Sequence, residues 1–371
     1  MPFPARLAPP ATAAAATAAA VLAAVALRRY LSSRSRAAAA AHSTSCAPAA
    51  TTFLVLSGKS PQDQQLLASS AGDLSLAEEV GGELAVSLAL DAGGDAGFDA
   101  AAYMGALRAG RFGRWMLWSP RMASTHDLVT QNFAKLPVGV VCVTDVQFKG
   151  RGRSKNVWES PPGCLMFSFT SQMNDARKLP LMQYVVCLAM TEAIKDLCCA
   201  KGLPELDVRI KWPNDLYLKG LKVGGILCTS SYEPKVYNIC TGIGLNVGNE
   251  KPTTCLNAAL QELKANSPRL KREDILASFF NKFEVLFDIF SNQGFQALEE
   301  QYYNSWLHSG QRVVVQDANE GQSVNSVVTV KGLTPSGYLY AVGEDGKSYE
   351  LHPDGNSFDF FTGLVRRKMD A

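Results

Sequence analysis

Acidic residues are missing from the start of this 371-residue chain: no aspartate or glutamate precedes Asp63. Residues 1–50 are instead rich in alanine, with serine, threonine and the arginines Arg6, Arg28, Arg29, Arg34 and Arg36. That composition reads as an organellar transit peptide. The competing readings are a signal anchor or secretory signal, since Ala11–Leu27 is uncharged, and a disordered cytosolic extension. The uncharged run is mostly alanine and threonine and sits at the short limit of about 17 residues for a membrane span, so no span is expected. Histidine is scarce, with four in the chain, and none of the nine cysteines forms a C-x-x-C pair or a zinc-like cluster with them. Several cysteines lie in apolar runs such as Val140–Val143 and Val185–Ala189. There a free thiol acts as a small core residue, which fits a reducing compartment. Neither sign of charge dominates: 36 Lys and Arg against 34 Asp and Glu give a net charge of +2, which offers no field for holding nucleic acid. No internal repeat is visible.

What is present divides the chain into four parts. After the leader (1–50), residues 51–113 form a poorly defined extension with one short strand at Phe53–Leu56 and an alternating segment near Leu84–Leu90. From Arg114 the pattern tightens into apolar strand-like runs at Val138–Val143, Cys164–Phe169, Val208–Ile210, Val223–Cys228 and Tyr237–Thr241. Leu181–Cys199 is apolar on most faces, follows Pro180 and stops at Gly202 and Pro204, so it predicts a buried helix. A second helical region runs from Arg272 to about Phe290, breaks near Gly294 and resumes to Trp306. Beyond residue 308 the period shortens to alternating strands (Arg312–Gln316, Val327–Val330, Tyr338–Val342, Ser348–Leu351) joined by turns at Pro335-Ser336-Gly337 and Asp345-Gly346. The expectation is an α+β catalytic unit over 114–308 and a small β domain over 309–371.

Four segments carry chemistry. In Gly150-Arg151-Gly152-Arg153-Ser154-Lys155-Asn156-Val157-Trp158-Glu159-Ser160-Pro161 the alternating glycines disfavour helix and strand. Such a segment can wrap an anion with N–H groups while guanidinium forks grip phosphate or carboxylate, and Trp158 offers a surface for a purine. A plain basic turn is the alternative. Lys211-Trp212-Pro213-Asn214-Asp215 reads as a rigid strand end from which a cation, an amide and a carboxylate emerge together; a solvated turn explains it equally well. Lys222-Val223-Gly224-Gly225-Ile226-Leu227 places one lysine before two glycines that let a backbone or ligand come close. Gly242-Ile243-Gly244-Leu245-Asn246-Val247 is an apolar strand ending in an asparagine. Ser124-Thr125-His126 needs no role beyond a helix N-cap.

As an ordered set these segments resemble the biotin–protein ligase (holocarboxylase synthetase) family, most closely its plant members, over about two-thirds of the chain from Arg114. The resemblance implies a mixed sheet packed with helices, a class II synthetase-like catalytic domain, followed by an SH3-like β-barrel. It implies ATP, Mg2+ and biotin as ligands, and as partners the biotin carrier domains of acetyl-CoA carboxylase and other biotin-dependent carboxylases, with no nucleic acid. A homodimer is compatible with it. Residue by residue, Gly150–Trp158 becomes the biotin- and adenylate-binding loop. Ser124, Thr125 and Gln147 meet the ureido ring, with Gly150, Gly224 and Gly225 also at the biotin site. Arg151 and Arg153 hold the carboxyl and phosphate region, and Trp158 packs on adenine. Lys211, Asn214 and Asp215 face the phosphates and Mg2+, Lys222 the reacting carboxyl, and Asn246 the nucleotide; Lys222 and Arg153 are the catalytic pair. Two positions depart from the pattern. His126 replaces the asparagine of many bacterial relatives and is left outside the site, and Ser154-Lys155-Asn156 replaces a more arginine- and glycine-rich run. With the leader, the resemblance implies the plastid stroma, with the mitochondrion or, for a form without the leader, the cytosol as alternatives.

The implied chemistry suits these groups. Activating a carboxylate on the α-phosphorus of ATP brings negative charges together, which calls for cations at that point. The mixed anhydride that results needs shelter from water, which a closing loop supplies. A lipoate–protein ligase is the near rival, disfavoured by the G-R-G-R…W-x-S-P run. A ligand-responsive repressor would need a helix-turn-helix, which 57–113 does not show. An RGG-type RNA binder would need repeated Arg-Gly units.

Overall fold

The computed structural model describes residues 52–75, 84–87, 97–153, 156–158, 160–249, 251–319, 322–353, 356–359 and 364–367. The leader, 1–50, therefore lies outside the described residues, as do Ser154 and Lys155. The catalytic unit is built on a nine-stranded mixed sheet. In chain order its strands are β1 (Thr52–Gly58), β2 (Leu84–Ser87), β3 (Trp115–Met122), β4 (Val141–Gln147), β5 (Cys164–Met173), β6 (Val208–Lys211), β7 (Asp215–Leu218), β8 (Leu221–Glu233) and β9 (Val236–Asn246). Across the sheet they run β2-β1-β3-β4-β5-β9-β8-β7-β6. The β1–β2 and β3–β4 pairs are parallel, and the rest are antiparallel.

Central strand β5 is buried along nearly its whole length, which explains its continuous apolar run: both faces are covered. One face carries the all-round apolar helix α4 (Met182–Ala200) and the long helix α6 (Arg272–Gln293). Phe279, Phe280 and Phe283 of α6 meet Phe167 and Phe169 of β5 edge-on, with centroids 5.0–6.0 Å apart. The other face carries a smaller cluster in which Leu67 of α1 (Pro61–Ser70) and Leu128 and Val129 of α3 (Thr125–Gln131) are buried with Leu54, Leu56 and Val140. Gly294, with φ +81°, ends α6 at the break expected from sequence. Short helices α5 (Leu256–Leu263) and α7 (Glu299–Ser305) complete the unit. No helix among the described residues is long and apolar enough to cross a membrane.

The extension expected over 51–113 is corrected by the structure. Its strand β1 pairs with both β2 and β3, so it is part of the catalytic sheet. Helix α2 (Ala100–Ala106) buries Tyr103 completely, and the Tyr103 hydroxyl donates to the carbonyl of Gly113 at 2.8 Å. The backbone after α2 is held by α6: Asn281 Oδ1 accepts from the N–H of Arg108 and Ala109 at 2.6 and 2.9 Å, and Glu284 from Gly110 and Arg111 at 2.9 and 2.7 Å. A segment whose polar groups are satisfied by a helix some 170 positions away carries no periodicity of its own.

Beyond α7 a second sheet forms from β10 (Arg312–Asn319), β11 (Gln322–Leu333), β12 (Leu339–Gly343), β13 (Ser348–Leu351), β14 (Asn356–Asp359) and β15 (Leu364–Arg367). Its order is β13-β12-β11-β10-β15-β14, antiparallel except for β10–β15. This is the small β domain expected after the catalytic unit. Its junction is polar but buried. His308 Nε2 accepts from the backbone N–H of Trp212 at 2.9 Å, while Nδ1 faces Gln311 Oε1 at 2.9 Å. The Trp212 indole donates to the Tyr184 hydroxyl at 3.0 Å, and that hydroxyl donates to the carbonyl of Gly337.

An Nε2 that accepts a hydrogen bond must be unprotonated. Burial accordingly holds His308 down to about 4, with Lys211 nearby acting in the same direction. Burial, then the Arg151 guanidinium, hold His126 down to about 4 as well. An unfolded histidine titrates near 6.5, so the unfolded chain binds the extra protons first. The stability of the neutral rings is present above pH of about 6.5 and is lost as pH falls toward 4, on the order of 3 kcal/mol per ring. Urea unfolding between pH 7 and pH 4.5 should show this decline, and His308→Gln should flatten it. An unchanged pH slope in the variant would remove His308 as the source.

Candidate active site

A cavity of about 770 Å3 opens where Trp158 lies over the β8–β9 pair. That is within the range of small-molecule sites. Its floor is made by strand register. Gly225 of β8 stands directly opposite Gly244 of β9, and Leu227 opposite Gly242. The Trp158 indole lies on this floor. A Cβ at Gly244 would come within 2.5 Å of its Cε2 atom, and one at Gly225 within 3.2 Å of Cζ3. Gly242 makes room for His126 and Ser168 in the same way, at 3.1 and 3.2 Å.

One end of the cavity is a network of fixed amides and hydroxyls. Ser124 caps α3, accepting from Asp127 N at 3.2 Å, so the N-cap reading of this triplet holds. Gln147 Oε1 accepts from Thr125 N at 2.9 Å, and Thr125 Oγ1 contacts Ser168 Oγ at 2.8 Å. Gly150 lines not this cavity but a second one, of about 840 Å3, that adjoins it and shares Arg151, Arg153 and Pro353 with it. Its carbonyl accepts from Trp158 N at 2.9 Å and closes the neck of the loop, and any Cβ there would strike Gln147 Nε2 at 2.5 Å. Arg151 pairs with Asp127 and keeps most of its side chain in solvent.

The other end gathers the charges. Lys222 Nζ sits 2.7 Å from Asp215 Oδ1 and 5.4 Å from the Trp158 ring centroid. Lys211, before the cis Trp212–Pro213 bond, lies 5.6 Å from the Tyr217 ring. Asn214 ties the turn to β8 by accepting Ile226 N at its carbonyl (2.9 Å), and its side chain donates to the Ile226 carbonyl. Arg153 spans the cavity, donating to Asn214 Oδ1 at 2.9 Å and to the carbonyl of Pro353 at 3.1 Å.

Of the residues singled out from sequence, Ser124, Thr125, Gln147, Arg151, Arg153, Trp158, Lys211, Asn214, Asp215, Lys222, Gly225 and Asn246 all line the cavity. Gly224 does not. Side chains alternate along a strand, so adjacent glycines cannot both face one site, and a Cβ at Gly224 would point at the Gly244 carbonyl and Leu216, at 3.0 and 3.2 Å. Asn246 lines the wall, but its amide is taken up by Thr253 Oγ1 and the Thr254 carbonyl at 3.2 and 3.1 Å. The sequence reading missed several lining residues, Ser168 among them. His126, left outside the site, is buried in its wall with Nε2 2.9 Å from Thr229 Oγ1. Thr253 and Pro353 come from segments with no local signature. Among the described residues no group of three or more His, Cys, Asp or Glu could cage a metal, and Asp215 is the one acidic side chain lining the cavity.

Cations, amides and a single carboxylate around a glycine floor suit a ligase that binds an acid and phosphates. Residues 118–246 match the Biotin/lipoate A/B protein ligase family, and residues 308–363 match the Biotin protein ligase C terminal domain. The chain is 64% identical over 275 residues to Biotin–protein ligase 1, chloroplastic, of Arabidopsis thaliana, covering 74% of this chain and 75% of that protein. It is 61% identical over 275 residues to Biotin–protein ligase 2 of the same plant, covering 74% and 84%. A solved biotin protein ligase from Aquifex aeolicus in complex with biotin and ATP has the same fold, with TM-score 0.50 and 22% identity over 68% of this chain and 99% of that one. The chain belongs to the biotin–protein ligase family.

The glycine floor yields a test. Gly244→Ala places a methyl group inside the volume of the Trp158 indole, so the ring must leave while the strand accepts alanine readily. Biotin transfer should fall on the order of tenfold or more through lost positioning. The variant should unfold at nearly the wild-type temperature, with altered tryptophan fluorescence. Wild-type turnover in Gly244→Ala would show that the ring's seat on the floor is unimportant.

Proposed function

We propose that the cavity joins biotin to ATP and then passes the activated biotin to a lysine of a carrier domain. The observation that carries this reading is the convergence of Lys222, Lys211 and Arg153 on one end of a glycine-floored cavity whose other end is a network of fixed amides and hydroxyls. A bicyclic ring with a urea-like head fits the fixed amides at Thr125 and Gln147, and its carboxylate then points toward Lys222. That carboxylate oxygen attacks the α-phosphorus of ATP; the bond to the β-phosphate oxygen breaks and pyrophosphate leaves. Lys222 and Arg153 neutralise the charge that gathers there. Asp215 would hold the Mg2+ that accompanies the nucleotide, which supplies charge neutralisation at the phosphates; one carboxylate with phosphates suits that ion's usual coordination. In the second step the neutral amine of the acceptor lysine attacks the anhydride carbonyl, a C–N bond forms and AMP leaves. Arg153, bound to both Asn214 and Pro353, supports a loop that shelters the anhydride in between.

The acceptors are biotin carrier domains of acetyl-CoA carboxylase and other biotin-dependent carboxylases. The test is incubation with labelled biotin, ATP-Mg and such a carrier domain, with lipoate as competitor. Transfer of lipoate in place of biotin would overturn the reading. Lys222→Ala should lower pyrophosphate release on the order of 10²–10³-fold, because the lost cation acts on developing charge. Release at the wild-type rate would take Lys222 out of the first step.

The acid-free leader suits import into plastids, in line with the chloroplastic name of the Arabidopsis relative. Removing residues 1–50 should leave biotin transfer intact, and the same residues fused to a fluorescent protein should carry it into plastids. A reporter that stays in the cytosol would refute the import role.

A further inference from the structure

Lys222 stands at an interruption in its strand. Leu216 pairs with Gly224 and Tyr217 with Lys222, so Val223 is an extra residue in β8, a bulge that re-aims the lysine. The ladder between β8 and β9 begins only at Gly224 and Leu245. On the β9 side, the backbone of Lys222 is held by a side chain. Thr253 Oγ1 donates to the Lys222 carbonyl at 2.7 Å. The same oxygen accepts from Asn246 Nδ2 at 3.2 Å, while Nδ2 also reaches the Thr254 carbonyl at 3.1 Å. Asn246 Oδ1 in turn faces the Cys164 thiol at 3.5 Å, and Cys164 and Asn246 are paired across β5 and β9. The chain of donors runs one way, from the core of the sheet through Asn246 and Thr253 to the backbone of Lys222.

We propose that Thr253 is a positioning residue for Lys222, fixing the lysine's main chain at the bulge so that its ammonium group meets the reacting carboxylate. The assignment rests on Lys222 acting in the first step as proposed above. It also gives Asn246 a different role from direct nucleotide contact, since its amide is committed to Thr253 and Thr254. Thr253 is itself exposed and lines the cavity rim, so the loop that carries it connects the surroundings of the nucleotide to the lysine. A threonine serves because one hydroxyl both donates and accepts; valine has the same shape and can do neither.

The test separates positioning from simple fastening of the loop. Thr253→Val should lower kcat for pyrophosphate release on the order of tenfold, with the KM values for biotin and ATP changed by less than about twofold. Thr253→Ala should match it, and Thr253→Ser, which keeps the hydroxyl, should restore the rate. Transfer from preformed biotinyl-adenylate to a carrier domain should remain at the wild-type rate in all three, with unfolding temperatures unchanged. Wild-type kcat in Thr253→Val, no rescue by serine, or equal losses in both half-reactions would each overturn the proposal. If the unaltered enzyme itself makes no biotinyl-adenylate, the proposed function fails instead, so the two failures are distinct.

Discussion

The cavity depends on two side chains that are not there. Gly225 and Gly244 face each other across antiparallel strands, on the side of the sheet that meets Trp158. A side chain at Gly244 would take the place of the Trp158 indole, and one at Gly225 would press on its edge, so the cation at Lys222 would lose the seat of the ring beside it. Register is what makes this work. A slip of one residue between β8 and β9 would turn the whole floor to the opposite face. The thirteen-residue β8 and eleven-residue β9, paired over ten positions, hold that register firmly.

Much of this was legible in the residues. Apolar runs located β4, β5, β8 and β9, and Pro180 and Gly202 bracketed α4 to within one residue. The described residues of the motifs at 150–158, 211–215, 222–227 and 242–246 do converge, because β8 and β9 are neighbours in the sheet and the other two segments meet the same pair of strands. The failures share a cause. Residues 108–111 gave no pattern because their backbone N–H groups are satisfied by Asn281 and Glu284 of α6. Gly224 and Gly225 looked equivalent as a pair, yet strand alternation lets one of the two reach the cavity. His308 and Thr253 act through single hydrogen bonds to main-chain groups far away in sequence, and such bonds leave no local signal.

The two sheets are joined through the same turn that carries Lys211, Asn214 and Asp215. Trp212 is gripped from the catalytic side by Tyr184 and from the junction by His308, while Arg153 reaches over Asn214 to the β domain. The small domain is thus part of the wall around the charged end of the cavity.

One detail of that wall bears on how such a chain can vary. Arg153 reaches the small domain at a carbonyl, not at a side chain. Every amino acid supplies that oxygen, so the letter at position 353 carries little of the contact, whereas the path of the turn from Leu351 to Pro353 carries nearly all of it. Point substitutions there would pass unnoticed by the arginine. An insertion or deletion of one residue in the same turn would move the carbonyl out of reach.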